Sequence, residues 1–211
     1  MNRALLVILG IGAALAFMLV SRRASAGEII YDEYGEPIGE IYPAEPEYLP
    51  EEIAMSAEQN VTAFLAMIRA AEGTDPNPYG MDPYTITYGY QHVIQSLADH
   101  PTNTGEWGPV PGPSGPTSAA GAYQIVQKTW NSVVMARLGD IGFSPGAQDR
   151  AAQELLRVRG ALADVRAGRF NEAIRKVANE WASLPGSPYG QPTITIEKAS
   201  QVYADAGGTF A

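Results

Sequence analysis

The 211-residue sequence contains no cysteine and only two histidines, His92 and His100. The missing thiols exclude a disulfide framework, a thiolate nucleophile and a zinc site built from cysteines. Basic residues are also scarce, because 14 Lys and Arg stand against 23 Asp and Glu, a net charge of −9. Since neutralising phosphates requires Lys and Arg, this balance disfavours a general nucleic-acid-binding protein. We expect no metal site, no cofactor and no nucleic-acid partner.

Long apolar runs are rare, and the longest one is at residues 4–20, where 17 residues carry no charge. As a helix the run would span about 25 Å, near the lower limit for crossing a bilayer. Arg3 precedes it and two arginines follow it. We predict that residues 1–26 form a single membrane anchor. Ala24-Ser25-Ala26 makes a cleaved signal peptide the alternative, although the preceding arginines disfavour cleavage.

Residues 27–55 differ from the rest in charge and proline content. Positions 27–52 hold nine acidic residues and no Lys or Arg, and prolines recur at positions 37, 43, 46 and 50. Self-repulsion and proline favour an extended, solvated linker. A docking strip for a basic partner is the alternative.

Residues 56–211 are expected to form the folded domain, since 45% of the chain is hydrophobic. Ser56 and Gln59 fit a capping box at the start of a helix that Gly73 and Pro76 end. Tyrosine, isoleucine and threonine within 79–92 predict a short β-hairpin, and the Gly/Pro-rich stretch 105–118 predicts a surface loop. Further helices are predicted near 124–138, 145–159, 161–167, 171–183 and 196–206. The predicted fold class is α+β, mostly helical with a small β lobe.

Glu72 is placed where a charged carboxylate is disfavoured. On a helical wheel it lies about 20° from Val61 and Leu65, on the apolar stripe of its helix. It also lies at the helix C-terminus, whose partial negative charge adds to the effect of burial. A carboxyl there should keep its proton to higher pH, as a general acid for glycoside cleavage requires. The alternative is a helix-end glutamate that bends into solvent.

Six short motifs occur in a fixed order along residues 60–209. They are Glu72-Gly73-Thr74-Asp75, Asp99-His100-Pro101, Gly121-x-Tyr123-Gln124, Phe143-Ser144-Pro145-x-x-Gln148-Asp149, Arg159-Gly160-Ala161-Leu162 and Trp181-Ala182-Ser183-Leu184-Pro185-Gly186. In this order they resemble the lambda-type endolysin family of lytic transglycosylases, part of the lysozyme-like superfamily. The resemblance covers nearly the whole predicted domain.

The resemblance implies a lysozyme-like fold with a cleft between a small β lobe and a helical lobe. It also implies cleavage of the MurNAc–GlcNAc β-1,4 bond of peptidoglycan, with formation of 1,6-anhydroMurNAc. Glu72 matches the catalytic glutamate, acting first as acid and then as base while the MurNAc C6 hydroxyl closes on C1. Aromatic and amide side chains suit sugar rings, and the substrate-binding candidates are Tyr88, Tyr90, Tyr123, Gln124, Tyr189 and Gln191.

Two alternatives remain. Asp82 and Thr87 loosely resemble the residues that position water in hydrolytic phage lysozymes, so a muramidase using Glu72 with these two is possible. A non-catalytic wall-binding protein tethered to a membrane is the other. The expected location is single-pass, with residues 4–20 in the membrane. This arrangement fits the host inner membrane, with the domain facing the periplasm. It also fits the internal membrane of a virion, beside other virion membrane proteins.

Overall fold

The computed structural model describes residues 28–31, 37–41, 51–113 and 115–211. The chain divides into two units, residues 1–52 and 53–211. Within the described ranges, no helix combines the length and apolar character needed to cross a membrane. The span predicted at residues 4–20 lies outside those ranges.

The first unit contains a short antiparallel pair of strands, β1 (Glu28–Tyr31) and β2 (Pro37–Ile41). Residue Glu28 lies opposite Ile41, and Ile29 opposite Glu40. These two segments lie within the predicted linker 27–55, whose role as a linker stays a prediction. Their β-branched isoleucines favour strands and offset the acidic composition.

The second unit is mostly helical. Its longest helix, α1 (Glu51–Ala71), starts five residues before the predicted capping box, because acidic residues at 51 and 52 suit the positive end of a helix. The helical segments that follow are α2 (Gln127–Thr129), a π-helix (Trp130–Met135), α3 (Ala136–Leu138), α4 (Pro145–Val158), α5 (Leu162–Arg166), α6 (Phe170–Val177) and α7 (Ile196–Asp205). The bounds agree with the predictions to within one or two residues except at α2, which starts three residues later than predicted, and at α6, which ends at Val177 and is followed by turns.

The β lobe lies later in the chain than predicted. Residues 79–92 form two 3₁₀ turns, Pro83–Thr85 and Tyr88–Tyr90, and the predicted hairpin is reduced to an antiparallel bridge between Ile86 and Val93. Positive φ angles of 65° at Gly89 and 58° at Tyr90 are incompatible with a continuous strand. The sheet forms instead in the Gly/Pro-rich stretch, where β3 (Val110–Gly112) pairs antiparallel with β4 (Gly115–Thr117).

The core of the second unit is built around α1. Phe64, Met67 and Ile68 of this helix are completely buried. The ring of Phe64 packs edge-on against Phe170 and Tyr203, with ring centroids 5.8 and 6.3 Å apart. Each such side chain contributes roughly 1.5–3 kcal/mol by burial, so the helix is held firmly. The C-terminal end of α1, where Glu72 follows, is therefore a rigid platform.

Candidate active site

Glu72 is the first residue after α1, and its amide donates to the carbonyl of Ile68 at 2.9 Å. Glu72 is half-buried, and its Oε1 accepts a hydrogen bond from Ser183 Oγ at 2.5 Å. Burial raises the pKa of Glu72 to about 7, and the hydrogen bond from Ser183 partly opposes that rise. Near neutral pH this carboxyl exists in both its protonated and its ionised form.

The cation nearest to Glu72 in sequence is directed elsewhere. Arg69, one helical turn earlier, donates from Nη1 to Tyr123 Oη at 3.0 Å and from Nε to Asp75 Oδ2 at 3.4 Å. Among the residues that the structure describes, no cation forms an ion pair with Glu72. A nearby positive charge would lower the pKa of Glu72, so this arrangement preserves its proton affinity.

Tyr88 and Tyr90 lie on the 3₁₀ turn that packs beside Glu72. The Tyr90 hydroxyl donates to the carbonyl oxygen of Gly73 at 2.6 Å, which anchors the backbone directly after Glu72. Its ring contacts Tyr79 edge-on, with centroids 5.0 Å apart. Tyr88 is half-buried, and its amide donates to the carbonyl of Ala119. Both rings keep some exposed surface, as a role in sugar binding requires.

Tyr123 does not fit its predicted role in substrate binding. Only 1% of it is exposed, so neither face of its ring is open to a sugar. Its hydroxyl donates to Asp149 Oδ1 at 2.5 Å, and the guanidinium of Arg69 lies 5.9 Å from the ring centroid. Because Tyr123 is enclosed on all sides, it is a core residue beneath the site.

Gln124 remains accessible beside this core. It has a positive φ of 47°, and its Nε2 donates to the carbonyl of Gly121 at 2.9 Å. Its half-buried side chain lines a small pocket together with Trp181 and Glu180. Its role in substrate binding stays a prediction.

Tyr189 and Gln191 lie on the segment that follows Ser183. The amide of Ile194 donates to the carbonyl of Ser183 at 2.8 Å, which closes this segment into a loop. Tyr189 is 52% exposed, and its hydroxyl donates to the carbonyl of Asn179 at 2.9 Å. Gln191 is half-buried. The exposed ring of Tyr189 is free to stack on a ligand.

Asp82 and Thr87, the pair considered for water activation, are both engaged in local structure. The Asp82 carboxylate caps the first 3₁₀ turn by accepting from the Tyr84 amide at 3.0 Å. The Thr87 hydroxyl is buried, donates to the carbonyl of His92 at 3.0 Å and accepts from its amide at 2.9 Å. Thr87 is therefore buried and has already used its only hydroxyl proton on His92.

Comparison with known proteins identifies the family. The endolysin family model matches residues 62–210. The chain is 38% identical to the endolysin of Escherichia phage P2 over 165 residues, 73% of this chain and 96% of that protein. It is 33% identical to the endolysin of Escherichia phage lambda, across 70% of this chain and 90% of that one. The chain belongs to the endolysin family.

Its structure agrees with this assignment. Lambda lysozyme complexed with a chitohexasaccharide superimposes with a TM-score of 0.65 at 31% identity, covering 72% of this chain and 97% of that one. A second structure of lambda lysozyme gives a TM-score of 0.58 over the same shares. The lambda-type endolysin resemblance and the lysozyme-like fold predicted from the motifs are confirmed.

The endolysin motifs around Gly121 and Gln148 have a direct structural reason. Gln148 is buried, accepts from the Ala122 amide at 2.9 Å, and donates to the carbonyls of Tyr84 and Phe143. A Cβ on Gly121 would lie 2.2 Å from Gln148 Oε1, so only glycine fits. One side chain thus joins α4, the Gly121 turn and the segment leading to Tyr88 and Tyr90.

Ser183 is the functional residue that sequence reasoning missed. It stands within one of the endolysin motifs, yet it is 111 positions from Glu72 and nothing in the spacing links the two. Trp181 holds the segment that contains Ser183 in place, because its buried indole donates to the carbonyl of Tyr123 at 3.0 Å. The contact depends on tertiary packing and was not predictable from local pattern.

Proposed function

We propose that this endolysin is a lytic transglycosylase that cleaves the MurNAc–GlcNAc β-1,4 bond of peptidoglycan and leaves a 1,6-anhydroMurNAc end. Membership of the endolysin family, with the lambda lysozyme fold, makes the protein a phage peptidoglycan-degrading glycosidase. The observation that carries the finer proposal is the half-buried Glu72 carboxyl, which accepts a hydrogen bond from one hydroxyl and pairs with no cation among the described residues.

The proposed reaction uses Glu72 twice. Its protonated carboxyl donates a proton to the leaving GlcNAc oxygen as the glycosidic bond breaks. The resulting carboxylate then accepts the proton of the MurNAc C6 hydroxyl, whose oxygen bonds to C1. No water is consumed, and Glu72 ends the cycle protonated again. Because both steps need a group that gains and loses a proton near neutral pH, a pKa of about 7 suits both.

The surroundings of Glu72 support an internal nucleophile. Hydrolytic glycosidases use a second carboxylate to activate water or to attack the sugar. Of the groups considered for that role, Asp82 caps a turn, and Thr87 is buried and donates its hydroxyl proton to the carbonyl of His92. Among the described residues, burial and Ser183 are the influences that act on the pKa of Glu72, and no carboxylate is among them.

The substrate in this proposal is a peptidoglycan glycan strand. The related lambda lysozyme was solved in complex with a chitohexasaccharide, which supports a site for a β-linked amino sugar chain. Tyr123 is no longer a candidate for binding the strand. The other five residues predicted to bind it remain candidates. Those five are Tyr88, Tyr90, Gln124, Tyr189 and Gln191.

We further propose that residues 4–20 anchor the enzyme in the host inner membrane, with the catalytic domain facing the periplasm. The support for the span is the uncharged run of 17 residues. The flanking charges balance, so the orientation is inferred from the substrate, which lies outside the cytoplasm. Cell fractionation with an intact-mass measurement tests it. A soluble chain beginning at Gly27 would show cleavage and overturn the anchor, whereas the full chain in purified particles would place it in a virion membrane.

Product analysis tests the proposed reaction. Purified protein is incubated with peptidoglycan, and the masses of the released muropeptides are measured by mass spectrometry. Glu72→Gln is the matched control. Anhydro ends, one water lighter than reducing ends, are expected from the wild type alone. Reducing MurNAc ends as the main product would overturn the transglycosylase and favour a muramidase. No product from a folded wild-type protein would favour a non-catalytic wall-binding protein.

A further inference from the structure

The hydroxyl that contacts Glu72 is held in place from both sides. On one side Trp181, 3% exposed, ties its segment to the core through the carbonyl of Tyr123. On the other side the carbonyl of Ser183 itself accepts from the Ile194 amide at 2.8 Å. The Ser183 Oγ to Glu72 Oε1 distance is 2.5 Å. The contact thus joins two rigid segments that are far apart in the sequence.

This hydrogen bond makes the two carboxyl oxygens of Glu72 unequal. Since Oε1 accepts the Ser183 proton, the proton of the neutral acid belongs on Oε2. We propose that Ser183 is a positioning residue that reserves Oε2 of Glu72 for proton transfer, so that one oxygen gives the proton to the leaving group and takes the next one from the substrate. The proposal rests on the proposed transglycosylase function and adds to it a residue with a defined role.

The other polar and charged groups near Glu72 are engaged with different partners. On its own helix Arg69 binds Asp75 and Tyr123, and from the 3₁₀ turn Tyr90 binds the Gly73 carbonyl. From the Trp181 segment, Glu180 forms an ion pair with Arg159 at 2.7 Å. None of these groups contacts the Glu72 carboxyl, so the Ser183 hydroxyl is the one that can orient it among the residues described.

The experiment compares Ser183→Ala and Ser183→Thr with the wild type across about pH 5–9, on soluble glycan strands. Removing a hydrogen bond to a charged group should lower kcat about 10–100-fold for Ser183→Ala, with KM unchanged. Because the Ser183 hydroxyl stabilises the carboxylate, its loss should move the alkaline limb of the kcat profile to higher pH. Ser183→Thr keeps a hydroxyl and should restore both values towards those of the wild type.

Ser187 supplies the matched control. Its hydroxyl is buried on the same loop and has no hydrogen-bond partner among the described residues. Ser187→Ala should therefore keep the wild-type pH profile. A carbon-13 NMR titration of the Glu72 carboxyl gives a second readout that needs no turnover, and its midpoint should rise in folded Ser183→Ala.

Several results would overturn the proposal. Ser183→Ala with normal kcat and an unmoved alkaline limb would do so, as would a limb shifted equally in Ser187→Ala. An unchanged NMR midpoint in Ser183→Ala would also contradict it. Glu72→Gln distinguishes failure of the proposed function from failure of the role of Ser183. Activity in Glu72→Gln would show that Glu72 takes no part in the reaction. An inactive Glu72→Gln together with a normal Ser183→Ala would contradict only the role of Ser183.

Discussion

Two carboxyl groups in the same domain show opposite behaviour. Glu72, at the end of α1, accepts a hydrogen bond from one hydroxyl and pairs with no cation within the described part of the chain, and burial raises its pKa to about 7. Asp164, on α5, is 6% exposed but bonds to Lys176 and to Arg169. The hydrogen bond from Lys176 is the main cause that lowers the pKa of Asp164, against the opposing effect of burial. Burial alone therefore does not determine the protonation state.

The difference separates a chemical role from a structural one. Asp164 ties α5 to Lys176 on α6, and nearby Glu154 likewise binds Arg137 and Arg157. These ion pairs hold helices together. Glu72 is half-buried and Arg69 is directed away from it, which keeps a proton available at neutral pH. A carboxyl without a cation in such a protein is a candidate acid catalyst.

The largest expected effect comes from removing the titrating proton. Glu72→Gln keeps the size of the side chain but has no proton to transfer, so turnover of peptidoglycan should fall about 10²–10⁴-fold. The release of soluble muropeptides measures it, and circular dichroism checks the fold. Asp164→Asn, the same change at the structural carboxyl, should keep activity per folded molecule. Near-normal activity of Glu72→Gln would contradict the role of Glu72.

The second prediction concerns the pH dependence of stability, where the two carboxyls should have opposite signs. The folded protein keeps the Glu72 proton above the ordinary pKa of 4.5, so unfolding becomes easier as pH rises from 4.5 to about 7. Asp164, with its lowered pKa, contributes stability above its ordinary pKa, and that stability is lost as pH falls below 3.8.

Urea unfolding of wild type and Glu72→Gln at several pH values isolates the Glu72 contribution. The free energy of unfolding of the variant, relative to the wild type, should increase by roughly 2–3 kcal/mol between about pH 4.5 and 8. A difference that does not change with pH would show that the carboxyl titrates normally and is solvated.

The third prediction tests the structural carboxyl. Asp164→Asn removes the charge that Lys176 and Arg169 share, and the free energy of unfolding should fall by about 1–2 kcal/mol, since both cations keep partial access to water. Glu172 pairs with Arg175 at an exposed site, so Glu172→Gln should cost below about 0.5 kcal/mol. Equal losses in the two variants would mean that burial adds nothing to the Asp164 pairs.

The sequence predicts the helical part of this fold well because each helix carries its own signals. Ser144 accepts from the Ala147 amide and Pro145 starts α4, as the capping pattern predicts. The prediction placed the β lobe too early because Tyr84 to Tyr90 has strand composition. The conformation of this segment is instead determined by the positive φ angles of Gly89 and Tyr90 and by the hydrogen bond from the Thr87 hydroxyl to His92. That hydrogen bond depends on folded neighbours.

The same distinction applies to the site. Glu72 was found from its position on a helical face, which is a local property. Tyr123 was predicted to bind substrate because aromatic residues suit sugars, but composition does not reveal that Asp149 and Arg69 enclose it. Ser183 was overlooked because its partner is 111 residues away. The residues that surround a reactive group are set by tertiary packing.

The smallest expected effect extends the comparison from the carboxyl of Glu72 to the backbone that carries it. Tyr90→Phe keeps the ring but removes the hydroxyl that donates to the Gly73 carbonyl, so the free energy of unfolding should fall by about 1 kcal/mol. Looser placement of Glu72 should lower kcat severalfold, while KM stays near that of the wild type because the ring can still contact sugar.

Tyr189→Phe is the control, since its hydroxyl also donates to a carbonyl, that of Asn179, but at an exposed site. Stopped-flow turnover and thermal unfolding measure both variants. A rise in KM without a change in kcat for Tyr90→Phe would assign its hydroxyl to the substrate instead of to the backbone beside Glu72.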